Sequence, residues 1–244
     1  MSSFIKHIAC PKCGSSDANA LYADGGTFCW SCRTPKKGTI SPYAIVADKA
    51  VPASLALPDD SSCEYPTHVL DWVFQYGLSI TELITHDVVY SKQRDQLIYT
   101  WYEPPSTTPI LWQARNFSKE AKQKCFTQGT PNEVLPLYRG PEGSREVFTI
   151  VEDPISAIKV ARHCKAVLPV LGSDLPPTKI KRIADVLGPF LGLSRVVVWL
   201  DGNMYHKAQK MASRLKLLGL EATAVWTKAD PKACSDEIIQ EMLD

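Results

Sequence analysis

The chain has 244 residues, of which 45% are hydrophobic, and its formal net charge is +1 at pH 7. This length and composition are sufficient to bury a core and predict two or three folded units. No apolar run reaches the roughly 20 residues of a membrane span, which excludes a membrane-spanning protein. The first residues do not resemble a targeting segment, so we expect a cytoplasmic protein in a reducing compartment.

The near-zero net charge hides an uneven distribution along the chain. Residues 1–38 contain five Lys or Arg and two Asp or Glu, residues 39–90 contain one and seven, and residues 91–145 contain eight and five. Clustered basic side chains attract phosphate backbones whatever the total charge, so binding to a nucleic acid stays open. Solvated surface lysines are the alternative for any single residue.

Four cysteines near the N-terminus have the spacing of a zinc ribbon. Two Cys-x-x-Cys pairs are separated by fifteen residues that include a glycine-containing turn; the cysteines are Cys10, Cys13, Cys29 and Cys32. Two such pairs supply the tetrahedral thiolate shell of one structural Zn2+, whereas a redox pair or disulfides are the alternatives. The other cysteines are scattered singly, as expected for small buried residues or surface thiols.

The middle of the chain predicts a linker followed by an α+β region. Five prolines between residues 34 and 66 indicate an interdomain linker, which we assign to residues 39–66, after a ribbon at residues 1–38. Helices are predicted over Val69–Tyr76 and from Ser79, where Glu82 completes a capping box. Aromatic and β-branched residues predict strands over Gln96–Tyr102 and Ile110–Arg115.

From Glu146 onward, apolar strands alternate with amphipathic helices, which predicts a parallel α/β sheet over residues 146–244. The predicted strands are Val147–Glu152, Ala166–Leu171, Arg195–Asp201 and Glu221–Thr227. The predicted helices lie near Pro154–His163, Pro177–Leu187, Met204–Leu218 and Ser235–Leu243. Ligands of such sheets bind at the carboxyl ends of the strands.

Carboxylates stand at these strand ends. Glu152 and Asp201 end two predicted strands, Asn203 follows Asp201, and Asp230 and Asp236 follow the last strand. Oxygen ligands held on rigid elements suit a divalent cation for phosphate chemistry. Capping of the following helices is the alternative for each residue alone, but the set favours a metal site.

This arrangement resembles the TOPRIM domain, a metal-binding module shared by bacterial-type primases, topoisomerases and some nucleases. Together with the ribbon, the chain resembles phage DNA primases of the T7-like kind, without the helicase domain that those carry C-terminally. The resemblance implies primer synthesis from ribonucleoside triphosphates on single-stranded DNA, catalysed with Mg2+ or Mn2+ in the cytoplasm of a bacterial host. It also implies a separate replicative helicase and a DNA polymerase as partners.

The resemblance assigns roles to individual residues. Glu152, Asp201 and Asn203 are the implied catalytic residues and metal ligands, supplemented by Asp230 and Asp236. Residues 67–145 are implied to be the basic subdomain of the polymerase core. The residues implied to contact template or nucleotides are Asp24 of the ribbon, Arg94, Arg115, Lys119, Lys122, Lys124 and Arg139.

Four positions depart from the family pattern. Asp153 stands where the family usually has a glycine after the first glutamate. The second acidic residue of the Asp-x-Asp element is Asn203, the acidic position after Glu152 in some relatives is Ser156, and a histidine of the ribbon hairpin is Gly26. An amide oxygen still ligates Mg2+ but carries no charge, so Asp153, Asp230 or Asp236 would compensate. A TOPRIM nuclease and a non-catalytic DNA-binding accessory protein of the replisome are the competing functions.

Overall fold

The computed structural model of the chain describes residues 4–22, 26–36, 55–103, 107–172, 174–188 and 192–244. The chain divides into two compact units, Met1–Val51 and Pro52–Asp244. The predicted fold class, a cysteine ribbon followed by an α+β part and a parallel α/β sheet, is confirmed.

The first unit is a small antiparallel sheet. Its strands, which lie in sequential order, are β1 (Phe4–Ile8), β2 (Asn19–Tyr22), β3 (Thr27–Cys29) and β4 (Pro35–Lys36). Because consecutive strands run in opposite directions, the β1–β2 and β3–β4 connections lie at the same end of the sheet. The two cysteine pairs lie at these connections and therefore face one another.

The second unit begins with helices and an antiparallel sheet. The helices are α1 (Thr67–Phe74) and α2 (Ile80–Thr85), and the sequentially ordered strands are β5 (Ser61–Ser62), β6 (Val88–Ser91), β7 (Gln96–Tyr102), β8 (Pro109–Asn116) and β9 (Cys125–Gly129). The capping box is confirmed: the Glu82 N–H donates to Ser79 Oγ at 3.3 Å, and the Ser79 N–H donates to the Glu82 carboxylate at 2.8 Å. Strands β7 and β8 are confirmed, whereas β6 and β9 were not predicted.

The rest of the chain builds a sheet with four parallel strands and one antiparallel edge strand. The strands are β10 (Tyr138–Arg139), β11 (Arg145–Val151), β12 (Cys164–Pro169), β13 (Arg195–Val198) and β14 (Glu221–Ala224), in the order β10-β12-β11-β13-β14. The helices are α3 (Pro154–Val160), α4 (Pro177–Val186), α5 (Tyr205–Leu217) and α6 (Asp236–Leu243). All four predicted strand–helix repeats are confirmed, with ends that differ by a few residues.

Alternate residues of β11 pack on opposite faces of this sheet. Val147 and Val151 belong to one buried cluster, and Phe148 and Ile150 belong to another. The first cluster also contains completely buried side chains of α1 and α2, so the antiparallel part and the parallel sheet share a core. The predicted domain boundary between residues 145 and 146 therefore passes through a shared core, and it stays a prediction.

The predicted linker, residues 39–66, includes described residues only from position 55 onward. Ser61–Ser62 pairs with β6, and Leu55 and Leu57 pack against a small cluster that contains Ile98 and Trp112. This part of the predicted linker is thus attached to the second unit. Among the described residues, no helix has both the length and the apolar composition needed to cross a lipid bilayer.

Arg162, just after α3, links α2 to α6. Its guanidinium donates to the Glu82 carboxylate, to the Gly77 carbonyl at 2.7 Å and to Asp236 at 3.4 Å, while His163 Nε2 lies 3.0 Å from Asp236 Oδ1. Burial raises the pKa of Glu82, but the hydrogen bonds from Arg162 and Ser79 outweigh it and lower the pKa overall. The hydrogen bond with His163, helped by Arg162, lowers the pKa of Asp236.

We expect Arg162→Met to lower the free energy of unfolding by about 1–3 kcal/mol at neutral pH, because Glu82 and Asp236 lose their charged donor. Their folded-state pKa values lie below the unfolded values near about 4, so their contribution is present above that pH and is lost as pH falls through the folded values. The variant should lose less stability than wild type between about pH 6 and about pH 3. Urea unfolding at a series of pH values measures both effects.

Arg145→Met is the matched control. Arg145 pairs with Asp244 at 2.9 Å, but the Asp244 side chain is 68% exposed, so this change should cost no more than about 0.5 kcal/mol. An Arg162→Met protein with the stability and pH profile of wild type would contradict the linking role of Arg162.

Candidate metal centre and nucleic-acid site

The four cysteine sulfurs of the first unit converge on one point. The Sγ atoms of Cys10 and Cys32 are 3.8 Å apart, those of Cys13 and Cys29 are 3.7 Å apart, and all four lie within 4.8 Å of one another. Thiolates around a tetrahedral zinc ion, with Zn–S bonds of about 2.3 Å, are separated by about 3.8 Å. The geometry therefore fits a zinc ion with all four positions filled by protein, which makes the centre structural.

Tight turns hold these sulfurs in position. The Gly14 N–H donates to the Cys10 carbonyl at 2.9 Å, and Gly14 has a φ of +71°, which a glycine adopts without steric cost. In the second turn, the Cys29 N–H donates to the Thr34 carbonyl at 3.1 Å. The two cysteine pairs are thus fixed by backbone hydrogen bonds of the ribbon.

Glu152 and Asp201 meet at the carboxyl edge of the parallel sheet. Strand β11 ends just before Glu152, and its parallel neighbour β13 ends three residues before Asp201. The carboxyl ends of parallel strands lie at one edge, which brings the residues that follow them together. The backbone of Asp201 is near enough to the Glu152 carboxylate to lower its pKa, although burial raises that pKa overall. The structure thus brings together two of the predicted site residues.

Lys232 lies among the carboxylates at this edge. Its Nζ is 2.8 Å from Asp153 Oδ2, 3.0 Å from Asp230 Oδ2 and 4.0 Å from Asp201 Oδ2. Its side chain is only 15% exposed, and its backbone carbonyl accepts a hydrogen bond from Lys159 Nζ at 2.9 Å. We call Glu152, Asp153, Asp201, Asp230 and Lys232 the edge cluster.

The edge cluster holds more negative charge than one ammonium neutralises. Burial raises the pKa of Asp201 to about 7, with Glu152 and Asp230 adding to the rise and Lys232 opposing it. Burial and the charge of Asp153 raise the pKa of Glu152. Burial alone lowers the pKa of Lys232, but Asp153 and the other carboxylates outweigh it, so the pKa is raised and the ammonium stays charged. An additional cation would relieve the remaining repulsion.

The donor atoms of the edge cluster fit a hard divalent cation. Asp201 Oδ1 is buried without a hydrogen-bond partner, and the Asp201 side chain does not cap the 3₁₀ turn Gly202–Met204 that follows it. Capping therefore does not account for Asp201, and a carboxylate oxygen is a preferred ligand of Mg2+. Asn203 is exposed on the same turn. Within the described residues, only the cysteines form a His, Cys, Asp or Glu group with three or more ligand atoms already converged.

Two acidic positions serve the surrounding structure. Asp153 is the N-cap of α3, where Oδ1 accepts from the Ser156 N–H at 2.9 Å and Oδ2 lies 3.2 Å from Ser156 Oγ. Ser156 is completely buried in this contact. Asp236 contacts Arg162 and His163 at the start of α6, so its carboxylate has cationic partners of its own. Its role as a Mg2+ ligand stays a prediction.

The predicted nucleic-acid contacts fall into separate groups. Arg94, Lys122 and Phe126 line an open cavity of about 510 Å³, whereas the Arg115 guanidinium lies 4.0 Å from the centre of the Trp72 ring. The remaining predicted contacts in the described chain are exposed: Lys119 and Lys124 before β9, and Arg139 on edge strand β10. Asp24 lies outside the described residues.

Lys232 is not among the residues predicted for the site. Its signal was available, because Lys232 follows β14, and β14 neighbours β13 in the parallel sheet. The same edge rule that selected Glu152 and Asp201 therefore selects this loop. A lysine in an acidic segment is nevertheless interpreted as a solvated side chain until its burial is known.

We expect wild-type protein to hold one zinc ion per chain and Cys13→Ser to hold none, because three thiolates leave the tetrahedral shell incomplete. Atomic emission spectroscopy of protein dialysed against metal-free buffer measures the zinc content. Cys63→Ser, at an exposed cysteine outside the group of four, should keep the full content. Full zinc content in Cys13→Ser would contradict the assignment.

We expect Lys232→Met to destabilise the protein in a chelating buffer by about 1–3 kcal/mol, or roughly 2–10 °C in melting temperature, because its carboxylates lose their counter-ion. Added Mg2+ should raise the melting temperature of the variant more than that of wild type, since the cation replaces the lost positive charge. Lys228→Met, at an exposed lysine of the same loop, is the matched control and should melt like wild type. Equal melting temperatures for all three proteins in chelator would contradict the counter-ion role.

Both units are similar to parts of known proteins. Residues 5–39 match the family described as the zinc-binding domain of primase-helicase. The chain is similar to the crystal structure of the primase fragment of the bacteriophage T7 primase-helicase protein, with a TM-score of 0.52, 15% identity and coverage of 98% of each chain. It is also similar to the crystal structure of Aquifex aeolicus primase, zinc-binding and RNA polymerase domains, with a TM-score of 0.57, 13% identity and coverage of 99% of this chain and 79% of that one. At these identities the shared property is the fold: a primase-type zinc ribbon followed by the fold of a primase polymerase fragment.

Proposed function

We propose that the chain is a DNA primase, which synthesises short RNA primers on single-stranded DNA from ribonucleoside triphosphates. The observation that carries the proposal is the presence, in one chain, of a primase-helicase type of cysteine ribbon and a parallel sheet with Glu152 and Asp201 at its carboxyl edge. The likeness in fold to two primases supports it. We assign the sheet and its edge cluster to the TOPRIM type.

Glu152 and Asp201 are the residues that would hold Mg2+ or Mn2+, with Asp153, Asp230 and the amide oxygen of Asn203 as further donors. When bound, a divalent ion neutralises the triphosphate and lowers the pKa of the attacking 3′ hydroxyl. The residues of the chain hold the reacting nucleotides in line, so that this hydroxyl attacks the α-phosphate and pyrophosphate leaves. The Glu152 carboxylate could also act as the general base that accepts the hydroxyl proton.

Lys232 has a different part in this proposal. It stays charged and contacts Asp153 and Asp230, which keeps these side chains in place before a cation arrives. Lys159 supports the Lys232 backbone from α3. Positions held in advance reduce the reorganisation that the reaction would otherwise require.

The basic residues of the second unit would hold the template. Arg94 and Lys122 offer charge for phosphates in the cavity that Phe126 also lines, and Phe126 offers a ring against which a base stacks. The ribbon, which matches the zinc-binding domain of primase-helicase, would read the template, and the resemblance to phage primases implies that Asp24 takes part. A replicative helicase and a DNA polymerase are the proposed partners, in the cytoplasm of a bacterial host.

Primer synthesis tests the proposal. Purified protein is incubated with mixed-sequence single-stranded DNA, labelled ribonucleotides and Mg2+ or Mn2+, and the products are separated by size. Wild type should make short RNA, and Glu152→Ala should reduce the yield by at least about 100-fold, since it removes a ligand of the reacting centre. Glu146→Ala is the matched control, because this exposed glutamate lies on β11, the strand that Glu152 follows, and pairs with Lys165.

Each alternative outcome identifies a competing function. Metal-dependent shortening of the DNA that is lost in Glu152→Ala would indicate a nuclease. DNA binding without product in wild type would indicate an accessory protein. Unchanged synthesis in Glu152→Ala would refute the edge cluster as the catalytic centre.

A further inference from the structure

We infer that Trp226 is a stacking platform for the base of a nucleotide whose phosphates lie at the edge cluster. The inference rests on the proposed function for the identity of that nucleotide, a ribonucleoside triphosphate. Stacking on a large aromatic ring tolerates all four bases, which suits an enzyme that must accept every nucleotide in turn.

Trp226 is exposed where tryptophan is normally covered. Its relative exposure is 53%, whereas Trp101, Trp112 and Trp199 of the same unit are 6%, 4% and 0% exposed. Tryptophan offers the largest apolar surface of any side chain, so leaving half of it in water forgoes a large part of its burial energy. Such a ring is free to receive another flat, apolar surface.

The position of Trp226 ties it to the edge cluster. Its Nε1 donates to the Gly202 carbonyl at 3.1 Å, and Gly202 is the residue between Asp201 and Asn203. A Cβ at Gly202 would lie 2.9 Å from the Thr227 carbonyl, so only glycine allows the two loops to approach this closely. The ring is therefore held next to the turn that carries two predicted metal ligands.

The loop that carries Trp226 is firmly anchored. The Val225 N–H donates to the Val198 carbonyl at 3.1 Å, and the buried Trp199 donates through Nε1 to Thr227 Oγ1 at 2.9 Å. Thr227 Oγ1 in turn donates to the Ala229 carbonyl at 2.7 Å. An exposed ring on an anchored loop loses little conformational entropy when a base stacks on it, which favours binding.

A structural role is the competing explanation for Trp226. In that case the indole would serve only to hold the Gly202 turn through its Nε1 hydrogen bond. The two roles depend on different parts of the side chain, because stacking needs the ring and holding the turn needs the N–H group. Trp226→Phe keeps an aromatic ring and removes the donor, so it separates them.

The test is equilibrium binding, measured by fluorescence anisotropy in Mg2+ without primer synthesis. The probes are ATP and UTP labelled on the ribose and a labelled single-stranded oligodeoxynucleotide. Trp226→Ala should weaken ATP binding roughly 5- to 100-fold, and UTP binding less, because a purine stacks over a larger area. The affinity of Trp226→Phe should stay within about 3-fold of wild type, because phenylalanine still offers an aromatic ring for stacking. Leu217→Ala, at an 87% exposed apolar residue of α5, should bind like wild type.

The probes distinguish the source of the base. Loss confined to the triphosphates supports stacking of the incoming nucleotide, whereas loss confined to the oligonucleotide would indicate stacking of a template base and would overturn the inference. Wild-type affinity of Trp226→Ala for all probes, an equal loss in Trp226→Phe and Trp226→Ala, or no binding of any probe by wild type would overturn the inference. Stacking measured in a protein that makes no primers would refute the proposed function alone.

Discussion

The second unit depends on a charge constraint at one edge of its parallel sheet. Four carboxylates stand there around one largely buried ammonium, and like charges at a partly buried edge repel one another more strongly than they do in water. Lys232 contacts Asp153 and Asp230 directly and lies farther from Asp201. The ammonium thus compensates two carboxylates directly, whereas burial, with the neighbouring carboxylates adding to it, raises the pKa values of Glu152 and Asp201.

The fold brings the charged residues of the edge cluster together and also holds them in place. Parallel pairing of β11, β13 and β14 delivers Glu152, Asp201 and the Trp226–Lys232 loop to the same edge. Asp153 caps α3 while it contacts Lys232, so the helix and the edge cluster stabilise each other. The two buried clusters, one on each face of the sheet, keep these elements in place. Removal of any one contact therefore affects both the stability of the fold and the arrangement of the cluster.

Regular periodicity and residue spacing were sufficient to predict most of the architecture. The cysteine spacing predicted the ribbon, and the alternation after residue 146 predicted β11 to β14 with their helices. The four-residue strand β6 directly follows a helix, and β9 has only half-buried or exposed residues, so neither produces a clear hydrophobic pattern. Strand β10 has two residues, too few for any period.

The candidate site was predictable only where a residue stands within a few residues of the carboxyl end of a parallel strand. Glu152 and Asp201 meet this condition, and the structure brings them together. Asp236 also follows the last strand, but its partners Arg162 and His163 come from the end of α3, a contact that depends on tertiary packing. The burial of Lys232 likewise depends on Lys159 and on the carboxylates of other elements. Charge and order along the chain do not reveal such contacts.

The loop after β14 carries both kinds of group that the proposed binding of a nucleotide needs, an aromatic ring and charged side chains. One end carries Trp226, an exposed ring for a base, and the other carries Asp230 and Lys232 of the edge cluster. A nucleotide has the same division, an apolar base at one end and charged phosphates at the other. Because both ends of the loop are anchored to β13 and α3, the distance between ring and carboxylates is set by the sheet rather than by the ligand. If the proposed function holds, a ring fixed in this way would accept any base that stacks on it, which is the tolerance that template-directed synthesis needs at this position.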